Sequence, residues 1–113
     1  MDRSHCLATY GTLAPGRANH HQLAELQGSW QAGHVTGHLV AHGWAASMGF
    51  PAFIPDEGGA AVPVQLFRSP DLPAHWARLD AFEGTDYRRA AIDVVTDQGR
   101  VPAWIYGYAG AGG

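Results

Sequence analysis

One carboxylate in this sequence stands in a setting that favours proton transfer. Glu83 comes at the end of a predicted helix, on or beside the apolar face that carries Leu79 and Phe82. A helix C-terminus disfavours a carboxylate, and apolar surroundings raise the pKa of an acid. These two effects predict a general acid/base that works near neutral pH. The alternative interpretation is a surface ion pair with Arg88 or Arg89.

The second candidate is a glycine-containing turn near the start of the chain, Tyr10-Gly11-Thr12-Leu13. A short apolar run ends at Tyr10, and glycines and a proline then break it at once. Because glycine has no Cβ, the backbone N–H groups of such a turn can approach a ligand closely and form an anion-binding hollow. An ordinary strand-to-helix turn is the alternative interpretation. Tyr106, in the last predicted strand, is a further candidate for a hydroxyl group that reaches a site.

Histidine spacing does not favour a metal centre. His34, His38 and His42 recur every four residues, but glycines interrupt that segment and its pattern is that of a strand. On a strand this spacing spreads the three imidazoles over roughly 26 Å, too far for one ion. Cys6 is the only cysteine, which excludes an internal disulfide and a multi-cysteine zinc site. We therefore expect no metal ligands.

The composition indicates one small globular domain over residues 1–113, with 46% hydrophobic and 15% charged residues. The net charge is −3, all seven basic residues are arginine, and no basic patch stands out, so binding to nucleic acid is not expected. No segment has the length of a membrane span or the pattern of a signal peptide. We expect a cytoplasmic protein that does not act at a membrane.

The elements that must position the candidate residues are mostly short strands. The pattern predicts an opening strand, a two-turn helix over residues 19–26, one or two twisted strands over residues 29–44, and a loop or edge segment over residues 48–53. Residues 60–68 form a strand that Pro63 makes an edge or irregular one. A helix follows, with Leu72, Trp76, Leu79 and Phe82 or Glu83 on one face, and then a hairpin whose turn uses Gly99.

Five or six strands and two short helices make an α+β protein, and closing the strands into a small barrel would remove exposed edges. On the last strand Trp104, Tyr106 and Tyr108 share one face, while Val101, Ala103 and Ile105 share the other. The sequence leaves open which face lies inside the barrel.

Taken together, these segments resemble the γ-glutamylcyclotransferase-like family, in its short AIG2-like and γ-glutamylamine cyclotransferase branch. The resemblance runs in order through almost the whole chain. It is carried by Tyr10-Gly11-Thr12-Leu13 with Pro15-Gly16 and Asn19-His20, by Gly49-Phe50-Pro51-Ala52, by Leu79-Asp80-Ala81-Phe82-Glu83-Gly84 with Tyr87-Arg88-Arg89, and by Ala103-Trp104-Ile105-Tyr106.

The resemblance implies a small mixed β-barrel with short flanking helices. It also implies a transferase or lyase-type cyclisation, in which a γ-glutamyl amine or γ-glutamyl peptide gives 5-oxoproline and a free amine. Glu83 would be the catalytic acid/base, and the loop from Tyr10 through Gly11 and Thr12 to Leu13 would bind the γ-glutamyl part of the substrate. No cofactor or metal is implied, and the chain would act as a monomer or homodimer.

One position departs from the family pattern. The family usually has a Gly-Glu pair in its middle strand, after a valine, and Val64-Gln65 occupies that place here. The alternative to an enzyme is therefore a catalytically silent module that binds small molecules on the same barrel.

Overall fold

A computed structural model describes residues 3–10, 21–41, 51–83 and 87–108. After a 3₁₀ turn at Arg3–His5, these residues form six strands and two α-helices. The strands are β1 (Cys6–Thr9), β2 (Ser29–Ala41), β3 (Pro51–Pro55), β4 (Ala60–Arg68), β5 (Tyr87–Thr96) and β6 (Gly99–Tyr108). The helices are α1 (His21–Ala24) and α2 (Leu72–Glu83).

Five of the strands close into a barrel. The hydrogen-bonded order is β1-β4-β2-β3-β6, and β6 pairs back onto β1. The pairs β1–β4, β4–β2 and β2–β3 are antiparallel, whereas β3–β6 and β6–β1 are parallel. Strand β5 extends the sheet as the antiparallel neighbour of β6 and meets β2 at one position. The predicted small mixed α+β barrel is therefore confirmed.

The barrel interior follows from the alternation of side chains along each strand, because successive residues point to opposite faces of a sheet. Apolar side chains from all six strands meet there and exclude water. They are Cys6, Ala8, Val35, Phe53, Val62, Val64, Leu66, Val94, Ala103 and Ile105. On β6 the inner face thus carries Ala103 and Ile105, which settles the choice that the sequence left open.

A second apolar cluster lies between the outside of the barrel and the helices. Its buried members are Leu7, Leu23, Phe67, Leu72, Trp76, Leu79 and Tyr106. The predicted inner face of α2 is confirmed at Leu72, Trp76 and Leu79. Phe82, the proposed next member, is 38% exposed, because a 3.6-residue period carries position 82 away from the line through 72, 76 and 79.

The segment predicted as a loop or edge is a paired strand in its described part. Strand β3 starts at Pro51 and pairs along β2, and Phe53 also lies opposite Gly107 of β6. Residues 48–50 lie outside the described residues. Gly37 permits this packing, because a Cβ there would stand 2.3 Å from the carbonyl oxygen of Ile54.

Strand β4 is not an edge strand, contrary to the prediction from Pro63: it lies between β1 and β2. The proline is tolerated because β1 pairs with β4 only from Gln65 to Arg68. At Pro63 the register is shared with His34 of β2 alone among the described strands, so no described strand needs a backbone donor from the other side of β4 there. The β5–β6 hairpin is confirmed, and Gly99 has a φ of 109°.

Within the described ranges, neither α-helix has the length and apolar character needed to cross a bilayer.

Candidate functional site

Tyr106 lies where the barrel meets α2. Because Ala103 and Ile105 face the interior, the alternation along β6 turns Tyr106 to the outer face, where it is only 3% exposed. Its hydroxyl donates a hydrogen bond of 2.7 Å to Oδ1 of Asp80 on α2. The last strand and the last turns of the helix are therefore joined through a buried phenol.

Arg89 holds the same carboxylate from the neighbouring strand. It lies directly opposite Tyr106 in the β5–β6 ladder. Its Nε donates to Oδ1 of Asp80 at 3.0 Å, and a guanidinium Nη donates to Oδ2 at 3.3 Å. In this bidentate contact the planar guanidinium group meets both carboxylate oxygens. Such a contact fixes the orientation of the two side chains and also pairs their opposite charges.

Two indole rings hold the guanidinium from the sides. The Cζ atom of Arg89 lies 4.5 Å from the ring centroid of Trp76 and 4.8 Å from that of Trp104. The indole N–H of Trp76 in turn donates to the carbonyl oxygen of Ser4 at 3.0 Å. Arginine between aromatic faces gains cation–π attraction, so Arg89 is held rigidly beside Asp80.

The surroundings of Asp80 keep it ionised. Partial burial by itself would raise the pKa of this carboxyl group. Hydrogen bonds from Arg89 and Tyr106, together with the positive charge of Arg89, outweigh burial, and the pKa of Asp80 lies below its usual value. At neutral pH Asp80 is therefore a carboxylate, which can accept hydrogen bonds but cannot donate them.

A cavity of about 290 Å³ opens at this junction and is lined by Asp80, Tyr87, Arg88, Arg89 and Tyr106. Its volume suits a small metabolite rather than a macromolecule. The described part of its wall carries two guanidinium groups and one carboxylate. Since Asp80 matches the charge of Arg89, Arg88 leaves the described wall with an excess of positive charge, which favours ligands that carry an acidic group.

Tyr10 connects this junction to the end of β1. Its hydroxyl donates to the carbonyl oxygen of Tyr106 at 2.5 Å and accepts from the backbone N–H of Phe53 at 2.9 Å. Its ring packs against that of Phe53, with centroids 5.8 Å apart. The phenol therefore lies in the seam between the parallel strands β3 and β6, whose one register pair is Phe53 and Gly107.

The structure thus brings together two of the proposed site residues, Tyr10 and Tyr106. Gly11, Thr12 and Leu13, the rest of the proposed binding loop, lie outside the described residues. Glu83 is the last residue of α2 and follows Asp80 by three positions. Its backbone belongs to the described helix, and its side chain is not among the described ones. Its role as acid/base stays a prediction.

Asp80 and Arg89 form an ion pair, with 3.0 Å between Oδ1 and Nε. The sequence alone did not identify the joint bond to Tyr106 or the position of Arg89 between two indoles. A signal was present in part: Trp76 and Asp80 are four residues apart, so they share a helix face. The pairing of Arg89 with Tyr106 needed the β5–β6 register.

The histidines form no cluster in the described ranges, where no three His, Cys, Asp or Glu side chains are close enough to hold a metal ion. His38 instead contacts Asp56, with 2.8 Å between Nε2 and Oδ2. His42 lies outside the described residues.

Comparison with known proteins places this architecture in context. The family model described as "Gamma-glutamyl cyclotransferase, AIG2-like" matches residues 7–112. No curated protein matches the chain.

Solved structures with a similar fold include proteins from an animal and from bacteria. An AIG2-like protein from Mus musculus has a TM-score of 0.72 and 22% identity, with 93% of this chain and 77% of that one covered. YkqA from Bacillus subtilis has a TM-score of 0.71 and 27% identity, with 92% of this chain covered. Only 35% of YkqA is covered, so the present chain spans about a third of that protein. The uropathogenic E. coli-specific protein c4763 has a TM-score of 0.66 and 23% identity, with 90% and 78% covered.

Proposed function

Because the chain belongs to the AIG2-like gamma-glutamyl cyclotransferase family, we propose that it converts a γ-glutamyl amine or γ-glutamyl peptide into 5-oxoproline and a free amine. Glu83 is the general acid/base of this proposal. The turn from Tyr10 to Leu13 binds the γ-glutamyl part of the substrate, and the departing amine leaves by the cavity beside Tyr106.

The proposed reaction exchanges one carbon–nitrogen bond for another. The α-amine attacks the γ-carbonyl carbon of its own glutamyl unit, and the new bond closes the five-membered lactam ring. Glu83 takes one proton from the attacking nitrogen and gives it to the departing nitrogen as the amide bond breaks. No oxidant or reductant enters the balance.

Attack within one molecule reduces the task of the protein to holding the substrate in a reactive shape. In well-oriented systems this effect lowers the activation barrier by ~7–11 kcal/mol. Backbone N–H groups of the turn at Gly11 to Leu13 would hold the α-carboxylate or stabilise the developing oxyanion. Both roles require this turn and Glu83 to face one cavity.

The observation that supports this arrangement most directly is the double engagement of Tyr106. Its carbonyl oxygen accepts from Tyr10, the residue just before the turn, and its hydroxyl donates to Asp80, one helical turn before Glu83. Tyr106 therefore contacts the residue before the turn through its main chain and the helix that ends at Glu83 through its side chain.

The test is a panel of γ-glutamyl amines, γ-glutamyl amino acids and glutathione, with 5-oxoproline measured as the product. We expect release from at least one compound and its loss in Glu83→Gln, which keeps the shape of the side chain but removes its basicity. Glu57→Gln is the matched control, because Glu57 is exposed in the β3–β4 turn. Unchanged turnover in Glu83→Gln would remove this residue from the mechanism.

One observation favours the second candidate, a binding module without catalysis. Where the family usually has a Gly-Glu pair, Val64 is buried in the barrel core and Gln65 lies opposite Thr9 of β1. This candidate predicts that γ-glutamyl compounds or 5-oxoproline raise the melting temperature while no product forms from any of them.

A further inference from the structure

We propose that the end of β2 and the whole of β3 form a hinged arm, which opens away from β6 and uncovers the apolar interior of the barrel. This closing arm consists of residues 37–41 and 51–55. Tyr10 is its latch and Gly37 is its pivot. The inference concerns a movement built into the fold and does not depend on the proposed reaction.

The closing arm has few strand partners outside itself. Strand β4 pairs with β2 from Ser29 to Gly37, and β3 pairs with β2 from Gly37 to Ala41. Gly37 is therefore the residue at which β2 passes from one partner to the other, and a glycine there gives the backbone freedom to bend. Among the described strands, β3 has one other register pair, between Phe53 and Gly107 of β6. The arm is thus held at its base and at one point of β6.

Tyr10 supplies the hydrogen bonds at that point. The main-chain N–H of Phe53 donates to the Tyr10 hydroxyl at 2.9 Å, and the hydroxyl donates to the main-chain carbonyl oxygen of Tyr106 on β6 at 2.5 Å. One side-chain group therefore links the arm to β6, where a longer strand pair would use a series of main-chain hydrogen bonds. The arm can leave β6 when this link breaks, while its own ladder with β2 stays intact.

The closed position is favoured, and it is closely fitted. Phe53 is fully buried in the barrel core, so opening transfers its ring to water and the open state is a minor one. A Cβ on Gly107 would stand 2.9 Å from the carbonyl oxygen of Phe53, so closure requires a residue without a side chain there. Gly107 has no positive φ, and an alanine would therefore disturb the contact with the arm rather than strain β6 itself.

Native-state amide hydrogen exchange tests the inference, because the N–H of Phe53 is itself part of the latch. Exchange is measured by NMR for each residue of the full chain, at urea concentrations below the unfolding transition and where exchange reports the opening equilibrium. We expect Phe53 and the amides of the β2–β3 ladder to share one opening with a weak dependence on urea. The amides of the β2–β4 ladder should require global unfolding, which exposes more surface and depends more steeply on urea.

Two variants separate the arm from the rest of the barrel. Tyr10→Phe removes an interaction that the open arm has already lost, so exchange in the arm should quicken by roughly five- to hundredfold. Exchange in the β2–β4 ladder should quicken by the same factor. Gly99→Ala is the control, because the β5–β6 turn is the same whether the arm is closed or open. It should quicken exchange in the β2–β4 ladder and leave exchange in the arm within about twofold of wild type.

Gly107→Ala tests the same contact from the side of β6, without touching the latch. Its new Cβ meets the carbonyl oxygen of Phe53, so we expect exchange in the arm to quicken by about fivefold or more. Gly58→Ala is the matched control, because its Cβ would come no closer than 3.6 Å to a neighbour. Exchange in the arm should be unchanged in that variant.

Arm amides that exchange only with the urea dependence of the β2–β4 ladder would overturn the inference, since no separate opening would then exist. Equal acceleration of the arm and the ladder in Gly99→Ala would overturn it for the same reason. An unchanged arm rate in Tyr10→Phe would mean that opening does not break the hydroxyl link, so Tyr10 would not be the latch. The wild-type measurement needs no substitution, and it decides the question even if a variant fails to fold.

Discussion

The hydroxyl of Tyr10 donates to the main-chain carbonyl of Tyr106 over 2.5 Å, although 96 positions separate the two residues. The same oxygen accepts from the N–H of Phe53. One phenol thus bridges β3 and β6 where these strands share a single register pair, and it completes the closure of the barrel at the end of β1. The contact also ties the start of the proposed binding turn to the residue whose hydroxyl reaches Asp80.

The first prediction concerns that bridge. Tyr10→Phe leaves a backbone donor and a backbone acceptor without the bridging hydroxyl, and unsatisfied buried groups are costly. We expect the free energy of unfolding to fall by about 1–3 kcal/mol, measured by urea denaturation. An unchanged free energy would show that the seam does not depend on the hydroxyl.

Arg89→Lys should destabilise the protein although it keeps the positive charge. Lysine cannot reproduce the fork to Asp80 or the flat contact with Trp76 and Trp104. We expect a loss of about 1–2 kcal/mol in the free energy of unfolding. Arg88→Lys is the matched control, because Arg88 is exposed on the same strand. Equal losses in the two variants would contradict the special role of Arg89.

The stabilising effect of Asp80 should depend on pH. Its pKa in the folded protein lies below the usual value of 3.8. Stability from the carboxylate is therefore fully present above the unfolded-state pKa and is lost as pH falls through the folded-state pKa. We expect Asp80→Asn to be less stable than wild type at pH 7, by under about 1 kcal/mol because the side chain is partly exposed.

Urea denaturation at pH 7, 4 and 3 measures this difference, which should shrink at the acid end. A difference that stays constant from pH 7 to pH 3 would mean that the charge of Asp80 does not contribute to stability.

Gly99→Ala tests the hairpin that carries β5 and β6. The φ of 109° at Gly99 is one that a residue with a Cβ rarely adopts. We expect a loss of about 1–2 kcal/mol in the free energy of unfolding. Gly58→Ala is the matched control: it lies in another turn, without a positive φ, and its new Cβ would come no closer than 3.6 Å to a neighbour. Equal changes in the free energy of unfolding of the two variants would exclude backbone strain at Gly99.

Features set by neighbours in the chain were predictable. The spacing of Leu72, Trp76 and Leu79 gave the buried face of α2, and Gly99 marked the β5–β6 turn. Predictions failed where a distant strand decided the outcome. Pro63 indicated an edge or irregular strand, yet β4 lies between β1 and β2. The proline is tolerated there because β1 pairs with β4 only from Gln65 to Arg68. The segment from Pro51 to Pro55 lacks a strand-like sequence pattern of its own, and it is a strand because it pairs with β2.

The sequence by itself determined most of the strands, the long helix and the family to which the chain belongs, because periodicity and short motifs are properties of neighbouring residues. Only the tertiary structure decided that Tyr106 faces α2 rather than the barrel interior. Alternation along β6 defines two faces but not which of them is enclosed. The parallel pairing of β6 with β1 makes that choice, and with it the meeting of Tyr106, Asp80 and Arg89 in one hydrogen-bonded group.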